Sequence, residues 1–538
     1  MAVVSIKTFG GIAPRIPARS LPDTAAQTAT NCVVTNGALQ PLAGVSAAVA
    51  TLTKVGTPAT IYRFGQDTLS DSQYWFHWTT NVDVCRSQLA GDTSEWTFYT
   101  DGTQPKATYS TIALSGSNYP TVSRPLGVPA PTNALTGTPG TAPDGTATPE
   151  TRVYTYTNVS KEAGFEFESA PAGASADVTV VAGQPVTLAG FSAAPSGYNV
   201  THRRIYRSTS GVYLFVAEIT AAATSFEDTV EAAALGEEIP SLTWSTPPDD
   251  LQGLINLPGG MMAGFVGRDV YYCDPYHPHA WPVNYVQTVD YPVVGLGRMD
   301  TTLAVLTTGA PYFMQGSHPD SVVVVKSDVD QSCSSKRSIV SAAGAVIYAS
   351  PDGLIMLSAG GSRILTDKLF TAAQWQAQFT PSSIHAYLQD RRYVAFYTDG
   401  TNSGGFIYDL TTGEFSTHSV YATAGYADPQ EDKLYLAFPD RSVKIWQRGD
   451  PLTFTWRSKI FTMPVPTSMS FAKVSALSYP VTAKIYRDGS LLHTQTVTSR
   501  SPFRLPAGQG RDWEMQVEGA YEVFSVAVAQ SGAEMVDV

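Results

Sequence analysis

Residues 393–408 read YVAFYTDGTNSGGFIY, and the rest of the chain can be interpreted outward from this pattern. Two short runs rich in aromatic and β-branched residues flank Asp399-Gly400, a pair that is typical of tight β-hairpin turns. The same unit of short strand, Asp-Gly or Gly-Gly turn and short strand recurs between residues 244 and 450, for example around Asp352-Gly353. Because the unit repeats without a strict period, the sequence predicts a degenerate β-propeller.

The composition of the chain predicts an all-β fold. Of the 538 residues, 43% are hydrophobic and 11% are aromatic, which is enough to build packed cores. Only 15% are charged, and the shortage of Lys and Glu beside abundant Thr, Val, Tyr, Gly and Pro favours strands and turns over helices. The length predicts about three or four domains. One longer helix is predicted over Thr371–Phe379, before Pro381.

Residues 1–45 are predicted to form an extended N-terminal arm with a short helix. Gly10-Gly11 and nearby prolines impose a turning path with few ladder hydrogen bonds. The predicted features are Asp23 as a cap, a helix over Thr24–Thr30, Asn31 as its left-handed end, an Asn36-Gly37 turn and a strand around Leu39. Because apolar periodicity is poor, the arm is expected to lie on its own domain or on a neighbouring subunit, and to be dispensable for folding.

Three further parts follow from changes of pattern along the chain. Residues 46–125 and 244–450 share the aromatic, turn-rich pattern and form the predicted propeller or platform. Residues 126–243 interrupt it, and about seven strands of period two predict an inserted sandwich of the fibronectin type III or immunoglobulin type. Its proline-rich entry predicts a boundary with few crossing contacts. Residues 451–538 predict a small C-terminal β-sandwich.

The charge of the chain argues against stable nucleic-acid binding. The formal net charge is −12 and the isoelectric point is about 5.1. Basic residues occur as isolated pairs such as Arg203-Arg204 and Arg391-Arg392. A protein that grips nucleic acid needs a Lys/Arg footprint on the phosphates, and none is visible here.

Cysteine usage and hydropathy predict synthesis in a reducing cytoplasm. The four cysteines, at positions 32, 85, 273 and 333, are widely spaced and form no CxxC motif, so no disulfide framework is expected. The N-terminus lacks a basic region followed by an apolar stretch, so no signal peptide is expected. No stretch approaches the ~18 apolar residues of a transmembrane helix.

No catalytic, cofactor-binding or metal-binding residue is predicted, and the chain is interpreted as a non-enzyme. Phosphate-loop, nucleophile-elbow and zinc-helix motifs are absent. Cys273, His277 and His279 offer three soft ligands, but zinc needs about four in tetrahedral geometry and alternating prolines splay these side chains, which favours an ordered loop. The remaining candidates, interpreted as turns or solvated loops, are Asp328 with Asp330, Glu237-Glu238, Asp249-Asp250 and Arg448-Gly449-Asp450.

Several short motifs resemble tail proteins of short-tailed bacteriophages. The amino-terminal ones are Lys7-Thr-Phe-Gly-Gly-Ile-x-Pro-Arg15, Leu21-Pro-Asp23, Asn31-Cys32 and Gly37-x-Leu39-x-Pro41. The later ones are Tyr276-His-Pro-His-Ala-Trp-Pro282, Leu306-Thr-Thr-x-x-Pro-Tyr312, Tyr348-x-Ser-x-Asp-Gly-Leu354 and Phe503-Arg-Leu-Pro-Ala-Gly508. Outside the inserted segment, the chain resembles the tail nozzle class, also called tail tubular protein B.

The resemblance implies a structural virion protein without cofactor. Members of this class form a sixfold ring below the portal and adaptor, with a propeller in each subunit, around the channel through which DNA leaves. It therefore implies a homohexameric ring, a tail adaptor or other tail proteins and fibres as partners, a location in the virion, and transient passage of DNA. Six copies at −12 each would carry a charge of about −72, which favours a channel wall that repels phosphates.

A carbohydrate-binding or carbohydrate-cleaving propeller that recognises a host receptor is the alternative. In that hypothesis, Trp75, Trp78 and Trp96 would stack on sugar rings. Their alternation with polar residues favours a place mostly in the core instead.

Overall fold

A computed structural model describes residues 3–34, 37–65, 73–143 and 148–535. The predicted turn at Asn36-Gly37 falls in part on Asn36, which lies outside the described residues. The regular structure is nearly all β, with 46% of residues in strands and 6% in helices, and the many small sheets of the described segments do not close on themselves. The all-β class is therefore confirmed.

Forty-seven strands and two α-helices occur in the described segments. The strands before residue 126 are β1 (Val3–Ile6), β2 (Ala26–Thr30), β3 (Cys32–Val33), β4 (Gln40–Pro41), β5 (Ala50–Thr51), β6 (Thr60–Arg63), β7 (Trp75–Trp78), β8 (Asp83–Arg86), β9 (Thr97–Thr100), β10 (Lys106–Thr108) and β11 (Arg124–Pro125). Those between residues 126 and 243 are β12 (Thr136–Pro139), β13 (Pro149–Arg152), β14 (Tyr154–Glu162), β15 (Phe165–Glu168), β16 (Val178–Val181), β17 (Val186–Ala189), β18 (His202–Thr209), β19 (Val212–Thr220) and β20 (Ser225–Asp228).

The remaining elements lie after residue 243. The strands up to residue 400 are β21 (Gln252–Asn256), β22 (Met262–Val266), β23 (Asp269–Tyr272), β24 (Val286–Thr288), β25 (Val293–Met299), β26 (Thr302–Thr307), β27 (Tyr312–Gln315), β28 (Val323–Lys326), β29 (Val340–Ala342), β30 (Ala345–Ser350), β31 (Gly353–Ser358), β32 (Gly361–Ile364), β33 (His385–Gln389) and β34 (Arg392–Thr398). The last ones are β35 (Ser403–Asp409), β36 (Phe415–His418), β37 (Ala424–Asp428), β38 (Lys433–Ala437), β39 (Ser442–Ile445), β40 (Phe454–Ser458), β41 (Phe461–Thr467), β42 (Phe471–Ala476), β43 (Val481–Arg487), β44 (Ser490–Val497), β45 (Phe503–Arg504), β46 (Gly510–Gly519) and β47 (Val523–Ala529). The two helices are α1 (Ser110–Ala113) and α2 (Ala372–Phe379).

The chain divides into two compact units, each assembled from segments distant in sequence. The first unit comprises Met1–Thr79, Leu306–Pro311 and Asp328–Val538, and the second comprises Thr80–Val305 and Tyr312–Ser327. The predicted arm and the predicted C-terminal segment thus belong to one unit. The propeller or platform segments, which share one sequence pattern, are divided between the two.

The first unit is built on a ten-stranded sheet. Its strand order is β33-β34-β35-β36-β2-β40-β46-β43-β44, with β41 paired to β46. Three four-stranded sheets belong to the same unit: β1-β47-β42-β45, β29-β30-β31-β32 and β37-β38-β39-β5. One hydrophobic core includes residues from the arm, the middle of the chain and the C-terminal segment, such as Phe9, Trp375 and Trp513.

The predicted helix over Thr24–Thr30 is wrong, because this segment forms strand β2. Thr30 pairs in parallel with Thr417 of β36, and the other edge of β2 is antiparallel to β40. Asp23 caps no helix, and its carboxylate accepts a hydrogen bond from the Lys459 ammonium at 3.0 Å. Pairing on both edges satisfies the backbone better than an isolated turn of helix would.

The predicted helix over Thr371–Phe379 is confirmed as α2. The Thr371 hydroxyl accepts from the Gln374 backbone N–H at 3.2 Å, and the Gln374 side chain accepts from the Thr371 N–H at 2.9 Å. This reciprocal capping box fixes the start of the helix. Trp375 and Phe379 are fully buried on its inner face, and Thr380 ends it in the left-handed region with φ 44°.

The second unit contains three four-stranded sheets outside the inserted segment. Their orders are β11-β10-β9-β8, β21-β22-β23-β24 and β25-β26-β27-β28. The inserted segment adds β15-β14-β18-β19, β12-β17-β20 and the pair β13-β16, which share one hydrophobic cluster containing Tyr154, Tyr156 and Ile205. No helix of the described segments is long and apolar enough to cross a membrane.

The inserted segment does not have the expected few contacts with its neighbours. Phe167 packs edge-on against Trp96 with ring centroids 5.0 Å apart. The Arg124 guanidinium binds the Glu162 carboxylate at 2.7 Å, and the Tyr109 hydroxyl donates to the same carboxylate at 2.8 Å. The expectation of a loosely attached module is therefore wrong, because its edge completes a neighbouring core.

Candidate functional site

The loop that begins at Cys273, the best metal candidate in the sequence, is held by hydrogen bonds within itself and to other segments of the second unit. The buried thiol of Cys273 accepts from the Met262 backbone N–H at 3.0 Å, and burial raises its pKa to about 12. His277 Nδ1 lies 2.7 Å from a neighbouring carboxylate oxygen. His279 Nε2 accepts from the Glu168 backbone N–H at 3.3 Å, and burial lowers the pKa of this imidazole to about 3.

Packing explains why the two histidines of this loop are ordered. The rings of His277 and His279 lie 4.8 and 5.2 Å from the ring of Trp244, which is almost fully buried. Across the described segments, no group of three or more His, Cys, Asp or Glu side chains is placed to hold a metal ion. The loop is thus a packed connection stabilised by hydrogen bonds and ring contacts within the protein.

The paired carboxylates lie on edges and turns. The Glu237 carbonyl accepts from the Phe215 N–H at 2.9 Å, and Glu238 forms a bridge with Leu214, so both glutamates extend the edge of β19. Exposed positions are occupied by Asp249, Asp250, Asp328 and Asp330.

The Arg448-Gly449-Asp450 tripeptide lies where the backbone packs closely against the segment around Gly44. The Gly449 N–H donates to the Gly44 carbonyl at 3.0 Å, and the Gly44 N–H donates to the Asp450 carbonyl at 2.8 Å. A Cβ atom on Gly449 would lie 2.1 Å from the Val45 carbonyl oxygen. Glycine is therefore required here by close approach of two chain segments.

Two of the three tryptophans that could serve as sugar platforms lie in the core, as their alternation predicts. Trp75 is 4% exposed and Trp96 is 1% exposed. Trp78 is half-buried, and the Lys54 ammonium lies 5.7 Å from its ring centroid. The buried pair offers no face on which a sugar could stack.

Two surface cavities formed by described residues bring together no nucleophile with a base. One cavity of about 500 Å³ in the second unit has no titratable side chain in its wall, and its lining is Pro258, Gly259, Met261, Thr301, Thr302, Gln315, Gly316 and Ser317. One of about 250 Å³ in the first unit carries both signs of charge, with Asp390, Asp432, Lys433 and Arg448 on its wall.

The amino-terminal motif anchors the arm to the first unit. Phe9 packs edge-on against Trp456 with ring centroids 4.9 Å apart, and the Trp456 indole N–H donates to the Gly10 carbonyl at 3.0 Å. The Ile12 N–H donates to the Phe415 carbonyl at 2.9 Å. The motif thus forms a clasp, a set of buried contacts between the start of the chain and its later strands. Of the two expected locations for the arm, its own domain or a neighbouring subunit, the structure shows the first.

Gly11 is the tightest point of this clasp. Its N–H donates to the Glu414 carboxylate, and an added Cβ would lie 2.4 Å from the Phe415 carbonyl oxygen. We expect Gly11→Ala to lower the free energy of unfolding by about 1–3 kcal/mol, since backbone atoms must move apart. Urea denaturation of the first unit measures this, and Gly360→Ala, where the nearest atom lies 3.9 Å away, is the control. Equal effects of both variants would contradict the clasp.

Buried ionisable groups are the features that sequence reasoning missed. The Arg63 guanidinium contacts Asp428 at 2.7 Å and Glu431 at 2.6 Å, and only 1% of its side chain is exposed. Burial opposes its charge, but the hydrogen bonds to Glu431 and Asp428 outweigh burial and raise the pKa of Arg63 above its usual range. No local pattern signals this cluster, because the partners lie 365 and 368 residues away.

His418 makes the stability of the first unit depend on pH. It is 3% exposed, its Nδ1 lies 3.0 Å from the Val420 carbonyl oxygen, and burial lowers its pKa to about 4. The unfolded chain protonates this histidine near pH 6.5, so its contribution is fully present above that pH and is lost as pH falls towards 4. We expect a loss on the order of 3 kcal/mol across this window.

The substitution His418→Gln checks this dependence. Urea denaturation between pH 7 and pH 4 should show a flatter stability profile for the variant than for the original chain. His318→Gln, at a histidine whose side chain is 45% exposed, is the matched control and should leave the profile unchanged. A variant profile as steep as the original one would mean that other groups carry the acid sensitivity.

No family model matches the chain, and no curated protein matches its sequence. Among solved structures, it has 12% identity and a TM-score of 0.26 to PorZ, a surface component of the type IX secretion system of Porphyromonas gingivalis, over 62% of this chain and 46% of that one. It has 12% identity and a TM-score of 0.28 to BBS1N in its complex with ARL6DN, over 78% and 98% of the two chains. It has 8% identity and a TM-score of 0.26 to the AfRom2 CNH domain, over 58% of this chain and 90% of that one. The chain spans less than half the length of PorZ, and likenesses this weak carry no argument about function.

Proposed function

We propose that this chain is a structural virion protein of a phage tail, of the nozzle class, which assembles as a homohexameric ring around the channel for DNA. The clasp formed by the amino-terminal motif carries this proposal. The residues that give the resemblance, Phe9 to Ile12, are buried and paired rather than exposed in a disordered tail. A motif with a specific structural role is stronger support for a family resemblance than a surface motif of the same length.

The sheet pattern supports the finer fold proposed for this class. Sheets of four antiparallel strands in sequence order, such as β21–β24, β25–β28 and β29–β32, have the form of propeller blades. In β37-β38-β39-β5 the fourth strand comes from near the start of the chain. We propose a degenerate propeller with an inserted fibronectin-like or immunoglobulin-like sandwich and a small C-terminal sandwich. The shared clusters between sheets in the latter two segments support this proposal.

The proposed partners are further copies of this chain, a tail adaptor and tail fibres. The chain would be made in the host cytoplasm and reside in the virion, without enzymatic activity. Its charge of −12 supports a passive conduit, since acidic walls repel phosphates. Titration of duplex DNA at physiological salt should give binding no tighter than the ~10⁻⁴–10⁻⁶ M of non-specific binders. Tighter, strongly salt-dependent binding would overturn the passive conduit.

Electron microscopy of purified phage particles tests the proposal directly. Antibody against this chain should label the tail below its junction with the head, and a reconstruction should show a closed ring of repeated copies. Labelling elsewhere, a single copy or a threefold spike would overturn the nozzle assignment. A glycan-binding screen with a turnover assay tests the carbohydrate alternative, which the buried Trp75 and Trp96 do not support.

A further inference from the structure

Basic side chains hold the connection between β36 and β37, residues 419–423. His418 Nδ1 lies 3.0 Å from the Val420 carbonyl oxygen. The Arg337 guanidinium donates to the Thr423 carbonyl at 2.7 Å. Because this 419–423 connection leads from the ten-stranded sheet into the sheet β37-β38-β39-β5, these contacts fix the chain where it passes between two sheets.

Two histidines lie in one row across four strands of the ten-stranded sheet. His385 of β33 pairs with Phe396 of β34, which pairs with Gly405 of β35. Gly405 in turn pairs with His418 of β36. Both imidazoles contact the Phe396 ring, with centroids 5.3 Å apart in each case, and a Cβ on Gly405 would lie 2.0 Å from the His418 ring. We call these four residues the histidine row.

Each imidazole of the row has one nitrogen with no place for a proton. Both histidines are 3% exposed, and the Nε2 atom of each is buried without a hydrogen-bond partner in the described segments. In His418 the proton of the neutral ring lies on Nδ1, because the Val420 carbonyl can only accept. Acid must therefore place the second proton on the buried Nε2.

The surroundings of the row contain one fixed charge, and it is positive. Burial, and then the charge of Arg337, lower the pKa of His385 well below its usual range. The other ionisable groups that face the row are Tyr387 and Tyr421, whose rings lie 6.0 and 6.3 Å from His385 and which stay neutral in acid. Among the described residues, no carboxylate pairs with either imidazole to stabilise a positive charge.

We propose that the histidine row is an acid-sensitive latch, which holds the 419–423 connection closed at neutral pH and releases it in acid. Above pH 6.5 both rings are neutral, and the closed state is fully stabilised. As pH falls below this value, the open state takes up two protons that the closed state excludes, so the equilibrium shifts towards opening. Opening hydrates both rings and relieves the repulsion from Arg337. The latch operates within one chain, so it is independent of the proposed ring.

Hydrogen exchange of the 419–423 connection measures the opening. With a pKa near 6.5 for both rings in the open state and far lower values in the closed state, the opening constant should rise about fiftyfold between pH 6 and pH 5. The reporters are the N–H groups of Ser419 and Thr423, which donate to Asn31 Oδ1 and the Ala437 carbonyl at 2.9 Å each. Mass spectrometry reads their exchange after correction for intrinsic rates. An unchanged opening constant would overturn the proposal.

Substitutions count the protons that open the latch. His385→Gln and His418→Gln should each reduce the rise to about sevenfold, since one titrating ring remains, and the double variant should show no rise. His493→Gln, on β44 at the opposite end of the ten-stranded sheet, is the matched control and should keep the full rise. Each variant is compared with itself at two pH values, so a general loss of stability does not alter the expected ratio. A double variant that keeps the rise would refute the latch.

The order of exchange separates a latch from acid unfolding of the whole unit, which also exposes both rings. At pH 5 the 419–423 connection should exchange before the hairpin β30–β31, a fully paired and buried part of the same unit. Equal exchange rates of the connection and the hairpin at every pH would show that only global unfolding frees the connection, and the latch would then be wrong.

Discussion

Removal of residues 2–22 should abolish the cooperative fold of the first unit. The deletion removes strand β1, which pairs with β47, and the clasp residues. Val4, Ile6, Phe9 and Ile12 are all at most 7% exposed and belong to the main core. Burial of each contributes about 1.5–3 kcal/mol, so that together they approach the ~5–15 kcal/mol that stabilises a typical protein. This expected result is the opposite of the sequence-based expectation that the arm is dispensable for folding.

Circular dichroism with urea denaturation measures this loss. The truncated chain should lose the near-ultraviolet signal and the unfolding transition of the first unit and keep a transition for the second. The control is Ser5→Ala with Lys7→Ala, two exposed positions of the same arm, which should unfold like the original chain. A truncated chain that unfolds with unchanged cooperativity would show that the arm adds nothing to the core.

Short sequence patterns predicted the turns and helix ends that are stabilised by residues close together in the chain. The Asp399-Gly400 turn joins β34 to β35, with Thr398 opposite Ser403, and the capping box of α2 lies within four residues. Each of these features is stabilised by neighbours in the chain, so a pattern of a few residues is enough to reveal it.

Long-range pairing explains what the sequence could not predict. Thr30 of β2 pairs with Thr417, 387 residues away, so a segment with helical capping signals becomes the middle of a sheet. Asn31 does adopt the predicted left-handed conformation, with φ 55°, but between two strands instead of at a helix end. Tertiary hydrogen bonds outweigh local propensities of a few tenths of a kcal/mol.

The candidate sites also divide into those that local patterns predict and those that depend on contacts between distant segments. The burial of Trp75 and Trp96 followed from alternation along short runs of the sequence. No local pattern predicts that glycine is required at positions 11 and 449. At each position the chain approaches a distant segment of backbone too closely for a side chain. The ion cluster at Arg63 depends most strongly on distant contacts. The two carboxylates that stabilise its buried guanidinium lie 365 and 368 residues further along the chain.

Arg63→Met should destabilise the first unit more than Gly11→Ala does. It would leave Asp428, whose side chain is fully buried, and Glu431, which is 10% exposed, without their cation. Breaking a buried ion pair by removal of one partner costs about 3–5 kcal/mol, since the remaining charge stays desolvated. We expect the urea midpoint of the first unit to fall by an amount that corresponds to this free energy.

Two further variants separate the ionic effect from lost packing. Arg15→Met removes an exposed pair, in which Arg15 and Asp367 are 46% and 63% exposed, and should cost at most about 1 kcal/mol. Adding Asp428→Asn to Arg63→Met should recover part of the loss, because the stranded charge becomes neutral while the volume of the side chain is kept. If Arg63→Met costs no more than Arg15→Met, or if Asp428→Asn deepens the loss, desolvation of an unpaired carboxylate is not what makes this cluster essential.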